Sequence, residues 1–150
     1  MAASGVGSAL DATQADAALI TLDTSAVLPL LDRRDPDYKR VREAFVADGG
    51  PYLIPAWILA EVGYIVEQRL KARALDVFLA DLESAAFALE CGDSDVARIR
   101  ELVARYADLP LGVADAAVIA CAERNGGRVL TLDADFLVVA RERKISVQPG

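Results

Sequence analysis

The sequence predicts an α/β fold built on a parallel sheet, and three observations carry that expectation. Short apolar runs recur along the chain: ALITL at 18–22, YLIP at 52–55, AAFALE at 85–90, RVLTL at 128–132 and KISVQ at 144–148. Segments with helical periodicity separate them, and alternating strands and helices point to a parallel sheet. The strands lack a polar face, which is the mark of a sheet covered on both sides. The chain has 150 residues, enough for one domain with a sizeable core. No internal repeat, low-complexity linker or second domain is visible. Residues 1–17 are small and polar and are expected to form a flexible N-terminal arm, leaving 18–150 as the folded domain.

The elements follow in order. Strand 18–22 ends at Asp23, and a short helix is expected over 25–31, with Thr24 or Ser25 able to cap it. Asp35-Pro36 opens a second helix, with Pro36 near its first turn. Val41, Phe45 and Val46 recur there at helical spacing, and Gly49-Gly50 ends it. Pro55 stops the second strand. A helix over 56–70 carries Glu61 among Ala60, Val62, Tyr64 and Ile65, so this acid is expected to be enclosed by apolar neighbours. A further helix spans 72–82 after a break in the pattern. Ser94 is placed to cap a helix running through Tyr106. Residues 110–113 read as a loop, and a small-residue helix covers 114–124 until Asn125-Gly126-Gly127 closes it.

Composition excludes several classes. The chain holds no histidine. A Ser-His-Asp hydrolase, a histidine-ligated zinc site and a histidine-based ribonuclease are therefore ruled out. Any metal would be held by oxygens, which favours magnesium or manganese. Net charge is −7, which disfavours duplex binding through a broad basic surface. Basic residues do cluster, at Arg33, Arg34, Lys39, Arg40 and Arg42, at Arg69, Lys71 and Arg73, and at Arg141, Arg143 and Lys144. Each cluster reads first as a solvated face. Cys91 and Cys121 form no CxxC and read as buried, reduced thiols. No apolar run approaches the ~20 residues that span a bilayer. The opening residues have neither a basic nor an apolar signal region, so a cytoplasmic protein is expected.

Four acids stand out against this background. Asp23, Glu61, Asp115 and Asp133 each end or interrupt an apolar stretch: ALITLDTSAVL, LIPAWILAEVGYIV, LPLGVADAAVIACA and RVLTLDADFLVV. A buried carboxylate without a partner is costly, so such groups are usually paired or bound to metal. Ligands in open parallel sheets gather outside the carboxyl ends of the strands. Asp23 and Asp133 directly follow strands one and four, and they meet if those strands are neighbours. Local alternatives exist for each acid. Asp23 could cap a helix, Asp115 could complement a helix dipole, Asp133 could start a turn in Asp133-Ala134-Asp135, and Glu61 could pair with a cation. Four such coincidences in one strand order are less economical than one divalent-metal site serving phosphodiester chemistry.

These residues also carry a resemblance. LDTSAVLPLL, IPAWILAEVGYIV and LPLGVADAAVIACAERNGGRVLTLDADF resemble the blocks of PIN-domain ribonucleases, in particular the VapC-like toxins of bacterial toxin–antitoxin pairs. DTSA alone is a weak signal, whereas DAAVIA followed by TLDADF is strong. The resemblance covers about residues 18–148, with a longer arm before Asp23 than many members have.

The resemblance implies a PIN-like three-layer fold, with a five-stranded parallel sheet and helices on both faces. It implies one or two Mg²⁺ or Mn²⁺ ions, with Asp23 and Asp115 as main ligands and Glu61 and Asp133 completing the site. The reaction implied is endonucleolytic cleavage of RNA by metal-activated water, leaving a 5′-phosphate and a 3′-hydroxyl. It further implies a homodimer and a small cognate antitoxin.

Thr24, Ser25 and Thr131 could orient an acid or a water, or could be simple cap and strand residues. Asp135 is a candidate supporting acid, and Phe136 reads as core. The rival functions are a non-catalytic PIN-like binding module and a metal-dependent phosphoesterase acting on another substrate. A haloacid-dehalogenase-type phosphatase would want a second aspartate where Ser25 stands.

Overall fold

The structure, a computed structural model, describes residues 19–149. The arm expected at 1–17 lies outside the described residues. Five strands form one parallel sheet: β1 (Ile20–Leu22), β2 (Tyr52–Pro55), β3 (Ala88–Glu90), β4 (Arg128–Leu130) and β5 (Ser146–Gln148). Their order is β3-β2-β1-β4-β5. β1 is therefore central, and β4 is its neighbour in the register Ile20↔Arg128, Leu22↔Leu130. Here the strand order reverses, which is where an open α/β sheet forms its functional crevice. Every residue of β1 is buried. Successive side chains on a strand point to opposite faces, so both faces of the sheet are covered.

Among the described residues six α-helices accompany the strands: α1 (Thr24–Leu31), α2 (Tyr38–Asp48), α3 (Leu59–Glu83), α4 (Val96–Arg105), α5 (Val113–Arg124) and α6 (Asp135–Val139). α1 packs on both α2 and α3, whereas α4 packs on α5. α5 is buried without a break from Ala116 to Ala122. Its alanines let it settle close to β1 and β4, and a helix apolar on all sides belongs in a core. Ile20, Leu22, Ile54, Leu102, Ile119, Leu130 and Phe136 fill the centre.

Several expected boundaries shift, each for a local reason. Residues 85–87 do not extend a strand: Ala85 has φ +60°, and the Ala86 and Phe87 amides bond back to the Asp81 carbonyl at the end of α3. β4 stops at Leu130 because the Leu132 and Asp133 amides bond instead to the Ser25 and Thr131 hydroxyls. Pro36 stays outside α2, since the Asp35 carboxylate accepts the Asp37 amide at 2.8 Å and forms a turn of its own. The expected Ser94 cap gives way to a 3₁₀ turn over Asp93–Asp95 ahead of α4. The break expected after residue 70 is real. Lys71, at φ +72°, interrupts α3, and a 3₁₀ turn over Ala56–Ile58 precedes that helix. Cys121 is buried as expected, but Cys91 is exposed just beyond β3.

Ion pairs between distant segments tie the second half together. Arg98 forks onto Glu123 at 2.8 and 2.9 Å and reaches Glu142 at 2.9 Å. Glu142 also accepts from Arg105 at 2.7 Å and from the Tyr106 hydroxyl at 2.5 Å. Burial pushes the Glu142 carboxyl up, but these donors outweigh it and bring it down to about 2. Arg124 grips the buried Asp95 at 2.6 and 2.9 Å and Glu90 at 2.9 Å.

Candidate active site

The first acid, Asp23, leaves β1 at its carboxyl end and caps α1. It is 3% exposed. Its Oδ2 accepts from the Ser25 hydroxyl at 2.7 Å and from the Thr131 hydroxyl at 2.9 Å. Those hydroxyls lie 3.1 Å apart. Each also accepts a backbone amide from the segment after β4, Leu132 onto Ser25 and Asp133 onto Thr131. Burial raises the Asp23 carboxyl above its ordinary value, against the pull of these donors and the Thr24 and Ser25 amides. The sequence alone leaves Ser25 and Thr131 open between orienting an acid and serving as simple cap and strand residues. Their signal was spacing, two residues after one acid and two residues before another.

Asp133 lies in the turn between β4 and α6 and is half-buried. Its Oδ1 accepts the Asp135 amide at 2.9 Å, so the turn foreseen in Asp133-Ala134-Asp135 does form. Asp135 contributes that amide, and Phe136 is core.

Asp115 is the third residue of α5 and reaches back to the amide of Gly112, which caps that helix. Its carboxyl is pushed up to about 6, first by burial and then by the negative charges of Asp23, Asp133 and Glu61. One group therefore senses all three other acids.

Glu61 stands in the first turn of α3. Contrary to expectation it is exposed, because Ala60 and Tyr64 beside it face outward while Val62 turns into the core. The 3₁₀ turn ahead of it packs against α5, the helix that carries Asp115.

The donor set is made wholly of carboxylate oxygens, which suits a hard divalent cation. Three negative charges raising one carboxyl describe a local field that a cation would relieve. Among the described residues, however, no three acids lie close enough to hold an ion as they stand. The chemistry fits such an ion, while the side chains are more open than a finished cage.

A parallel sheet in this order, with acids at its carboxyl edge, defines an α/β protein with an acidic candidate site. The family model for the PIN domain matches residues 20–142, and the chain belongs to that family. It is similar to Ribonuclease VapC26 of Mycobacterium tuberculosis (strain ATCC 25618 / H37Rv), with 32% identity over 114 residues, or 75% of this chain and 84% of that one. Among solved structures, VapC20 of Mycobacterium tuberculosis, described as a sarcin-ricin loop cleaving toxin, shares the fold. It superposes with a TM-score of 0.72, covers 80% of this chain and 94% of its own, and is 20% identical. Among the described residues, no helix is long and apolar enough to cross a membrane.

Proposed function

We propose that this chain is the toxin of a toxin–antitoxin pair, an endoribonuclease that hydrolyses RNA with Mg²⁺ or Mn²⁺. The observation that carries the reading is the convergence on Asp115 of the charges of Asp23, Asp133 and Glu61, in a PIN domain similar to a VapC ribonuclease. Asp23 and Asp115 would be the main ligands, with Glu61 and Asp133 completing the site. When bound, the ion supplies Lewis acidity to the scissile phosphate and acidifies the attacking water.

The chain's own groups do the rest. Ser25 and Thr131 hold Asp23 through Oδ2. Thr131 and the Asp133 amide tie the loop that carries Asp133 to the same carboxylate. The raised Asp115 carboxyl would return to its charged form beside a cation held here. A small antitoxin, a homodimeric assembly and a cytoplasmic setting complete the reading.

The test compares an RNA oligonucleotide with the same sequence as DNA, incubated with the purified chain and Mg²⁺. Cleavage of the RNA to a 5′-phosphate and a 3′-hydroxyl is expected. Ends bearing a 2′,3′-cyclic phosphate would contradict attack by water.

A further inference from the structure

Two large aromatic side chains flank Glu61 in the sequence and stand open to solvent. Trp57 is 39% exposed and Tyr64 is 66% exposed. They lie four residues before and three residues after Glu61, the exposed acid of the set. Tyr64 lies about one turn beyond Glu61 on α3, so those two share a face, while Trp57 sits in the 3₁₀ turn Ala56–Ile58 directly ahead of the helix.

The tryptophan is open yet held in place. Its Nε1 donates to the Gly92 carbonyl at 3.2 Å. The indole also lies close against Gly92, where a Cβ would come within 3.2 Å of Nε1 and 3.3 Å of Cδ1. Gly92 itself sits at φ +65°, so a side chain there is disfavoured twice over. A ring fixed by its edge, with part of its surface in solvent, is preorganised to receive a flat partner.

Charge decides what kind of partner fits. The chain is acidic overall, at −7, and its reaction centre is a cluster of carboxylates. Both features weaken a purely electrostatic hold on phosphate beside the acids, so a grip on the bases supplies what charge there does not. Stacking of unpaired bases on aromatic rings supplies that grip and tolerates any sequence. A protein partner fits less well. Glu61 and Gln68, both exposed, share the face that carries Tyr64, and interface cores are depleted of charged side chains.

Resting on the nuclease reading above, we propose that Trp57 and Tyr64 form a stacking platform for the unpaired bases of single-stranded RNA on either side of Glu61. The platform would grip bases that are already unstacked and discriminate against duplex, whose bases present no free face.

Trp57 is the chain's single tryptophan, so its fluorescence reports on this place alone. The experiment titrates Asp115→Asn protein, which should not cut, with short oligouridylate and oligoadenylate, and with an abasic strand of equal charge. The platform predicts quenching by the two base-bearing strands and little by the abasic one. Tyr64→Ala should weaken binding, and raise KM in the otherwise wild-type enzyme, by about fivefold or more, the scale of one lost base–aromatic stack. Tyr64→Phe should retain wild-type affinity and KM. Wild-type protein that cuts RNA while Tyr64→Ala leaves KM unchanged and Trp57 is not quenched would overturn the platform and leave the nuclease reading standing. Protein that neither cuts nor binds these strands would overturn both. Emission that changes with protein concentration alone, abolished by Tyr64→Ala, would overturn the platform by making this face a contact between copies of the chain.

Discussion

Thr131 Oγ1 donates to Asp23 Oδ2 at 2.9 Å while accepting the Asp133 amide at 3.0 Å, so one buried hydroxyl joins two of the four acids. The link spans 108 residues of chain and exists because β1 and β4 are neighbours in the sheet. Thr131→Val keeps the shape and removes the hydroxyl. It should lower cleavage about tenfold to a hundredfold, the scale of one lost hydrogen bond to a charged group at ~1.5–3 kcal/mol. Thr131→Ser should restore most of it. Equal loss in both variants, measured by initial rates on one RNA substrate, would show that the hydroxyl is not what matters.

Asp115 sets a pH dependence of stability. Its carboxyl stands at about 6 in the folded chain, against 3.8 as the ordinary value. A raised carboxylate binds its proton more tightly in the native state, so its charge opposes folding above pH 6 and ceases to do so below about pH 4. In EDTA, Asp115→Asn should therefore melt higher than wild type at pH 7, with the difference vanishing toward pH 4. Thermal melts across that range check the sign.

A cation shared by the acids should stabilise the fold by mass action. Millimolar Mg²⁺ or Mn²⁺ is expected to raise the melting temperature of wild type and to have little effect on Asp115→Asn. Asp23→Asn should likewise abolish cleavage while leaving the far-ultraviolet circular dichroism unchanged.

Glu142 works in the opposite sense to Asp115. Its carboxyl is lowered to about 2 from 4.5, so its stabilising contribution is complete above pH 4.5 and is lost as pH falls toward 2. Glu142→Gln should unfold at lower urea concentration than wild type at pH 7, and the gap should narrow below pH 4.5. A gap that stays constant with pH would mean that packing, and not charge, carries the effect.

Much of this was legible in the chain because the signals were local. The apolar runs 18–22 and 128–132 announced β1 and β4, and the acids directly after them fell at the sheet's carboxyl edge as the parallel pattern requires. The break near Lys71 was visible as a lost helical period. What stayed hidden depends on distant partners. Nothing around Glu61 shows that Ala60 and Tyr64 face outward, since burial is decided by what packs on α3. Glu142 looks like any surface acid until Arg98, Arg105 and Tyr106 arrive from 36 to 44 residues away. Asp95 gave no sign that its carboxylate would be taken by Arg124. The hydroxyls of Ser25 and Thr131 could be noticed, but only the pairing of β1 with β4 shows that both aim at one oxygen.

The most direct test of a shared four-acid centre is the incubation of purified protein, freed of any bound partner, with total RNA. Parallel reactions contain Mg²⁺, Mn²⁺ or EDTA, each beside Asp115→Asn. Discrete cuts that require the metal and disappear in the variant are the predicted result. Cutting that persists in EDTA, or in well-folded Asp115→Asn protein, would contradict it.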